Sequence, residues 1–578
     1  MGGICSRKRE QQVLEDDFRR GVFGRYCRNA STKWLGARSL RSNANHCPGG
    51  GSIPSLMELC IYKIREDFSK YDSFSILPRD ISQQIFNELV DSHCLTEAYL
   101  EAFRDCALQD VYLGEYPGVD DGWMDVISSQ GSSLLAVDLS DSNVTDNGLR
   151  LLKVCSNLQA LTLNYCDQFS EHWLKHISGL SNLTSLSIRK SSSVTPNGMC
   201  AFSSLVNLEK LDLERCSEIH GGFVHLKGLK KLQSLNIGCC KCVMDSDMKA
   251  ISGLINLKEL QISNSSITDL GITYLRGLQN LTTLNVEGCS ITAASLESIS
   301  ALAALAYLNL NRCGLSDDGF EKFSGLKSLK RLSMAFNKIT DECLVHLRGL
   351  TNLEYLNLDS CKIGDDGLAN LAGLTLLKSL VLSDTEVGNS GLRSISGLNK
   401  LEDLNLSFTL VTDGGLKRLS GLTNLKSLNL DARQITDAGL ANLISLSGLI
   451  KLDLFGAHIS DSGTTYLRSF KSLQSLEICG GGLTDAGVKN ISDIVSLTQL
   501  NLSQNCNLTD KTLELISGMT ALRSLNVSNS RITNRGLQYL KPLKNLRSLS
   551  LESCKVTASE IKKLQSADLP NLISFRPE

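Results

Sequence analysis

Three groupings of side chains have the types and spacing that could do chemistry. Cys239-Cys240-Lys241-Cys242 puts three thiols within four residues, and thiolates are the usual ligands of structural zinc. A closed zinc site needs a second cluster, and the sequence offers none. His172 and His176 are four apart, the spacing that puts two imidazoles on one helical face, but the glutamate placement of a zinc hydrolase is missing. No glycine-rich phosphate loop or nucleophile elbow occurs. The expectation is a chain that is not an enzyme, with no catalytic, cofactor-binding or metal-ligating residues. The third grouping is terminal. Met1-Gly-Gly-Ile-Cys-Ser6 fits an acylation signal, with Gly2 as myristate acceptor and Cys5 placed for palmitate. One myristoyl chain binds a membrane only marginally. The palmitate and the Arg7-Lys8-Arg9 cluster supply the second signal, each cation contributing about 1 kcal/mol at an anionic surface.

Overall charge narrows the partners. The 578 residues carry 59 Lys and Arg against 61 Asp and Glu. Such a balance argues against a nucleic-acid partner, which selects a basic face. Residues 1–52 hold ten basic and four acidic residues, a net +6, and read as a disordered basic tail ending in the linker Pro48-Gly-Gly-Gly-Ser52. No run approaches the roughly 18 apolar residues of a membrane span. The twenty cysteines come without a secretory signal, so reduced thiols are expected, in the cytoplasm and at the cytosolic face of a membrane. Sequons such as Asn182-Leu-Thr184 are then not glycosylated.

What must position all of this is a repeat. Runs of Leu-x-x-Leu-x-Leu start at 18 positions from Leu134 to Leu546, always 24 or 25 residues apart. An imperfect run begins at Leu108 (Leu-Gln-Asp-Val-Tyr-Leu), as terminal repeats do. Numbering each repeat from its first leucine, the unit at Leu425 predicts a short strand with Leu428 and Leu430 inward and Asn429 outward. Ile435 plugs the core, Thr436 is a helix N-cap, and Asp437 sits in the first turn, where its charge suits the dipole. Leu440 and Leu443 form the buried stripe. The Thr/Ser-Asp pair recurs at 145, 268, 316, 340, 412, 460, 484 and 509, and the helical glycine Gly439 at 148, 271, 319, 367, 391, 415, 463, 487 and 536. A mid-helix glycine costs about 1 kcal/mol, so its repetition predicts close approach between neighbouring repeats. The fold class is α/β: a leucine-rich-repeat solenoid, or horseshoe, of about 18 repeats over 108–578, strands on the concave side and helices outside.

The cysteine at position nine (Cys166, Cys216, Cys240, Cys289, Cys313, Cys361, Cys554), followed by Ile/Val-Thr-Asp-x-Gly-Leu, resembles the cysteine-containing repeats of F-box/LRR proteins, substrate receptors of cullin-RING ubiquitin ligases. The resemblance covers about four-fifths of the chain. The repeats here are slightly shorter, and Ser, Thr or Asn often replaces the cysteine.

Residues 53–107 are helical in pattern. Leu56, Cys60 and Ile64 fall at four-residue spacing and resemble the BC-box that docks on elongin C. Leu77-Pro78-x-Asp80-Ile81-x-x-x-Ile85-Phe86 resembles the opening of an F-box, which docks on a Skp-type adaptor. The family's later Trp is missing, Phe103-Arg104 being the nearest substitute. The alternative is a helical cap over the first repeat.

On the concave face, position five is Asn in eight of the 18 repeats. Asn forms strands poorly, so a polar hydrogen-bonding face or solvated decoration is expected. Tyr307, Arg331 and Tyr355 share one column in successive repeats, with Phe336, Phe408 and Phe455 nearby and Tyr165 further off. These are the residue types of partner hot spots. The resulting expectation is a protein-substrate receptor held on a cullin by a Skp-type adaptor or elongin C. The alternative is a membrane-tethered scaffold with no ligase link. A wrap-around inhibitor of a basic enzyme is disfavoured by the mixed charge of the outward positions.

Overall fold

A 24-residue unit has too few apolar side chains to enclose its own leucines, so its core forms only between neighbours. The computed structural model describes residues 55–431 and 434–576. Gly2, Cys5, the Arg7-Lys8-Arg9 cluster and the linker at 48–52 lie outside the described residues. Among those described, no helix is long and apolar enough to cross a membrane.

The chain forms two compact units, divided between Asn236 and Ile237. The first opens with helices α1 (Leu56–Glu66), α2 (Arg79–Asp91) and α3 (Glu97–Leu100), then six three-residue strands from Asp110–Tyr112 to Ser234–Asn236. The second carries fourteen, from Glu259–Gln261 to Ser574–Arg576. The strands are parallel and pair one repeat apart, Ser427 facing Asp403 on one side and Lys451 on the other. The imperfect run at Leu108 is a true strand. A further one, Ser574–Arg576, follows the last regular repeat with Phe575 opposite Leu549, and the leucine count passes over it. Leu425, Leu428, Leu430, Ile435, Leu440 and Leu443 are all buried, each leucine contributing about 1.5–3 kcal/mol by leaving water.

The elements opposite the strands are short, α-helical in some repeats (Asp437–Ala441) and 3-10 in others (Gly463–Ser469). Their first residue has a role beyond the dipole. Asp413 accepts the backbone N–H of Thr436 in the next repeat at 2.8 Å and its hydroxyl at 2.6 Å, while that hydroxyl accepts the N–H of Ala438. Asp121 with Thr145, Asp245 with Thr268, Asp461 with Thr484 and Asp510 with Thr533 repeat the pattern. This ladder explains the glycine: a Cβ on Gly439 would collide with the Asp413 carboxylate, and Gly148, Gly271 and Gly487 face the equivalent aspartates. The close approach is therefore of a carboxylate to the next helix. Where the glycine is replaced, Ser295 and Thr512 donate their hydroxyls to Asp269 and Asp485. Ser316 departs from the expectation: the turn there starts after Gly319, which is left-handed at φ 86° and lies outside the helix.

The N-terminal helices close the open end of the stack. The Gln83 side chain accepts the N–H groups of Gln109 and Asp110 at 2.9 and 3.2 Å and donates to the Asp110 carbonyl at 2.7 Å. It thereby satisfies edge groups that a preceding strand would otherwise pair. Behind it Phe68, Phe74, Phe86 and Phe103 form an aromatic core with ring centroids 5.1–6.2 Å apart.

Two measurements check the ladder. Gly439→Ala should lower stability by about 1–2 kcal/mol in urea unfolding, overpacking outweighing the gain in helix propensity, and Gly439→Ser should cost less; a raised midpoint for the alanine variant contradicts the collision. Burial alone would raise Asp269, but hydrogen bonds from Ser295 and Thr292 outweigh it and hold the carboxyl below its ordinary 3.8. Its stabilising contribution is thus complete above the unfolded value and disappears as pH falls through the lower folded one. Ser295→Ala should move the acid-unfolding midpoint to higher pH.

Candidate functional site

The strand face is shaped by how each strand ends. After position six the chain leaves the sheet, and the N–H of position seven needs an acceptor. The side chain at position five supplies it: Asn285, Asn309, Asn357, Asn405 and Asn429 accept the N–H two residues on at 2.9–3.0 Å, as do Asp212 and Asp453. This is an Asx turn. The side-chain oxygen of these asparagines is therefore used to end the strand, while amide N–H groups such as those of Asn309 and Asn501 donate to neighbouring carboxylates on the polar face.

Position eight is left-handed in repeat after repeat, whatever the residue: Tyr165 at φ 61°, Lys190 at 54°, Arg312 at 56°, Phe336 at 59°, Phe408 at 55°. Such a conformation is costly for bulky residues. It is held because the N–H there continues the ladder, as in Phe336 to the Asp359 carbonyl and Phe408 to the Asp431 carbonyl at 2.8 and 2.9 Å. The consequence is a column of side chains turned out at the strand exits. Nothing in the residue types at position eight signals it, since glycine appears there in only a few repeats.

Third-position and eighth-position residues form the most distinctive surface. Arg331 lies opposite Tyr307 and Tyr355 in register, with its guanidinium carbon 4.4 Å from the centre of the Tyr355 ring. At the strand exits Arg312 stacks on Phe336 at 4.0 Å. Stacking fixes a guanidinium while leaving its N–H edge available. Phe336 is 41% and Phe408 56% exposed, and Phe455 is half-buried. Tyr165 stands in the first unit under Lys190 Nζ at 5.6 Å.

The thiols have a structural explanation. Cys166, Cys289, Cys313 and Cys361 at position nine direct Sγ to the position-six carbonyl of the preceding repeat at 3.2–3.3 Å. Asn337 donates to the same kind of carbonyl, from Leu310, at 2.9 Å, and Thr385 closes on its own repeat's Leu382 at 2.6 Å. Any small buried donor serves, which is why Cys, Asn, Ser and Thr interchange there. Burial pushes the Cys313 thiol up to about 12 and Cys361 to about 11, so both stay protonated. No described cysteine is disulfide-bonded, and no group of three or more potential metal ligands occurs among the described residues. His172 precedes the short helix Leu174–Ile177 that contains His176, so the two do not share a helical face.

In the N-terminal region the expected adaptor residues divide. A capping box between Ser55 and Glu58 starts α1, with Leu56 78% exposed, Cys60 exposed and Ile64 half-buried. Arg65 pairs with Glu88 of α2 at 2.7 Å. Pro78 is exposed at the N-cap of α2, and Leu77 and Ile81 are half-buried. Ile85 and Phe86 are buried: they belong to the core that caps the first repeat, and an adaptor cannot reach them in this arrangement. Phe103 is enclosed in the same core.

The repeats match known families. A leucine-rich repeat region model matches residues 336–577, and leucine-rich repeat models match 255–315, 303–363 and 132–153. With the ladder of parallel strands, this makes the chain a leucine-rich-repeat protein. Similar solved structures include an internalin of Listeria monocytogenes, 20% identical, covering 64% of this chain and 97% of that one with a TM-score of 0.44. An LRR protein of Leptospira interrogans is 22% identical over 76% of this chain and 95% of its own, TM-score 0.41. A plant peptide hormone receptor, solved in complex with RGF2, is 18% identical over 83% and 75%, TM-score 0.42. No curated protein matches the chain.

Asn357→Ala should leave the Asp359 N–H without its acceptor and cost about 1 kcal/mol in urea unfolding, whereas Asn357→Asp should be nearly neutral. Equal stability of the alanine variant would count against the turn as the reason for the column.

Proposed function

We propose that this chain binds a protein partner on the strand face of its second unit, centred on Tyr307, Arg331 and Tyr355 with Phe336 alongside. The observation that carries this is the exposed Arg331 guanidinium stacked on the half-buried Tyr355 ring in strand register, together with exposed Arg312 stacked on exposed Phe336 at the strand exits. Preorganised arginine and aromatic side chains are what interface hot spots consist of.

The finer reading is a substrate receptor for a cullin-RING ubiquitin ligase, in which partner enzymes perform the chemistry and this chain raises local concentration. What supports it is the order of parts in the sequence, the cysteine-containing repeats, and the exposed side of α1. Leu56 and Cys60 on that side offer an elongin-C-type adaptor a helix of the kind that docks by one apolar stripe. A Skp-type adaptor is left with Leu77, Pro78 and Ile81. Acylation at Gly2 and Cys5 would hold the assembly on a membrane, and it equally supports the second reading, a tethered scaffold without a ligase.

Affinity capture of the full chain with its native N-terminus, read by mass spectrometry, tests these separately. Arg331→Ala with Tyr355→Ala should remove the client at least tenfold while leaving the adaptor. Leu56→Glu with Cys60→Glu should remove the adaptor and leave the client. Gly2→Ala should release the chain from membranes. If neither elongin C nor a Skp-type protein co-purifies, the receptor reading fails and the scaffold reading stands.

A further inference from the structure

The arginines of this chain show what its outward rings hold. Arg312 and Phe336 are successive position-eight residues at φ 56° and 59°, the Arg312 N–H reaching the Ala335 carbonyl at 3.0 Å and its guanidinium resting 4.0 Å from the ring centre. Asp384 and Phe408 reproduce this backbone arrangement at φ 51° and 55°, with the Asp384 N–H on the Ser407 carbonyl at 2.9 Å. Here a carboxylate replaces the guanidinium. Among the described residues no cation stands over Phe408, which is 56% exposed. The Asp384 carboxylate accepts the Ser360 hydroxyl of the preceding repeat at 3.1 Å, and the exposed Phe408 ring face offers a seat for a planar cation.

Charge around this seat is one-sided. In the repeats from Leu353 to Leu473, outward positions three, five, seven and eight hold six carboxylates and one cation, Lys451. The near-neutral total of the chain conceals this segregation. Asp453 and Glu477 are opposite one another in register. Burial raises Asp453 and Glu477, each of which accepts a hydrogen bond within the chain, and an incoming cation would relieve them, while Asp403 is exposed to a partner.

We infer that this stretch of the strand face receives a basic, arginine-bearing segment of the partner polypeptide, one guanidinium stacking on Phe408 while further cations meet the carboxylates of Asp384, Asp403, Asp453 and Glu477. The inference rests on the protein-binding reading above and specifies the chemistry of that partner. Three strand spacings of about 4.8 Å separate the Asp384–Phe408 seat from the Asp453–Glu477 pair. An extended segment laid across the strands spans that distance with about four residues.

Fluorescence anisotropy of the full chain with labelled nona-arginine, nona-lysine and nona-glutamate peptides at about 0.15 M salt provides the test. Nona-arginine should bind several-fold more tightly than nona-lysine, and nona-glutamate should not bind. Phe408→Ala should weaken nona-arginine binding about 3- to 30-fold. The near-isosteric triple variant Asp384→Asn, Asp403→Asn, Asp453→Asn should weaken it at least as much and flatten its salt dependence. A control of equal charge change on the first unit, Asp105→Asn, Asp167→Asn, Glu171→Gln, should leave it unchanged. Nona-arginine binding that survives both second-unit variants, or that falls equally with the control, overturns the inference. A captured client lost on Arg331→Ala with Tyr355→Ala but retained by the triple variant overturns this inference alone and leaves the protein-binding reading in place.

Discussion

Each repeat exposes more leucine than it can cover. A strand of three residues and a helix of one or two turns leave the side chains at positions one, four and six only partly covered by their own repeat, and the adjoining repeats complete the cover. The stack is the only arrangement in which these side chains leave water, and its two ends are the places where this fails. The aromatic core of α1, α2 and α3 and the Gln83 side chain meet that need at the N-terminal end, where the glutamine takes over the hydrogen bonds a preceding strand would have made. Capping thus determines the fate of α2, whose Ile85 and Phe86 are spent inward, and leaves the outer side of α1 as the surface with unused apolar side chains.

Stacking also brings polar groups of neighbouring repeats to fixed separations, and the sequence has adapted at three positions. The aspartate that opens one helix caps the next, the helical glycine makes room for it, and the donor at position nine bonds to the carbonyl of position six. The hydrogen bonds among these contribute about 1 kcal/mol each, but they recur from repeat to repeat and fix the offset between neighbours. Because the strand ends are closed by asparagine and by a left-handed residue, side chains at positions three and eight are the ones held outward with little internal obligation. The proposed partner surface lies on those two columns, where aromatic and charged residues are few.

Much was legible in the leucines. Their spacing gives strand, turn and helix directly, since inward residues must alternate in the strand and recur at helical spacing beyond it, and Thr436, Ile435 and Leu440 take the places their chemistry implies. The column of Tyr307, Arg331 and Tyr355 was legible for the same reason: residues a whole repeat apart must be neighbours in a register set by the leucines. The strand-end role of the position-five asparagines was not legible, because a hydrogen bond two residues away leaves no trace in composition. The helix expected to carry both His172 and His176 is shorter than its pattern suggests and begins only at Leu174.

The sequence by itself determined the repeat, its parallel strands, its inward residues and the columns in which outward residues line up, because all of these follow from a period that every copy obeys. Tertiary structure alone decided which side chains remain available. Whether Phe86 faces an adaptor or the first strand, whether an asparagine meets a partner or its own backbone, and whether an arginine lies on a ring or beside a carboxylate depend on contacts between residues a repeat or more apart. Those contacts exist only once the leucines have been buried.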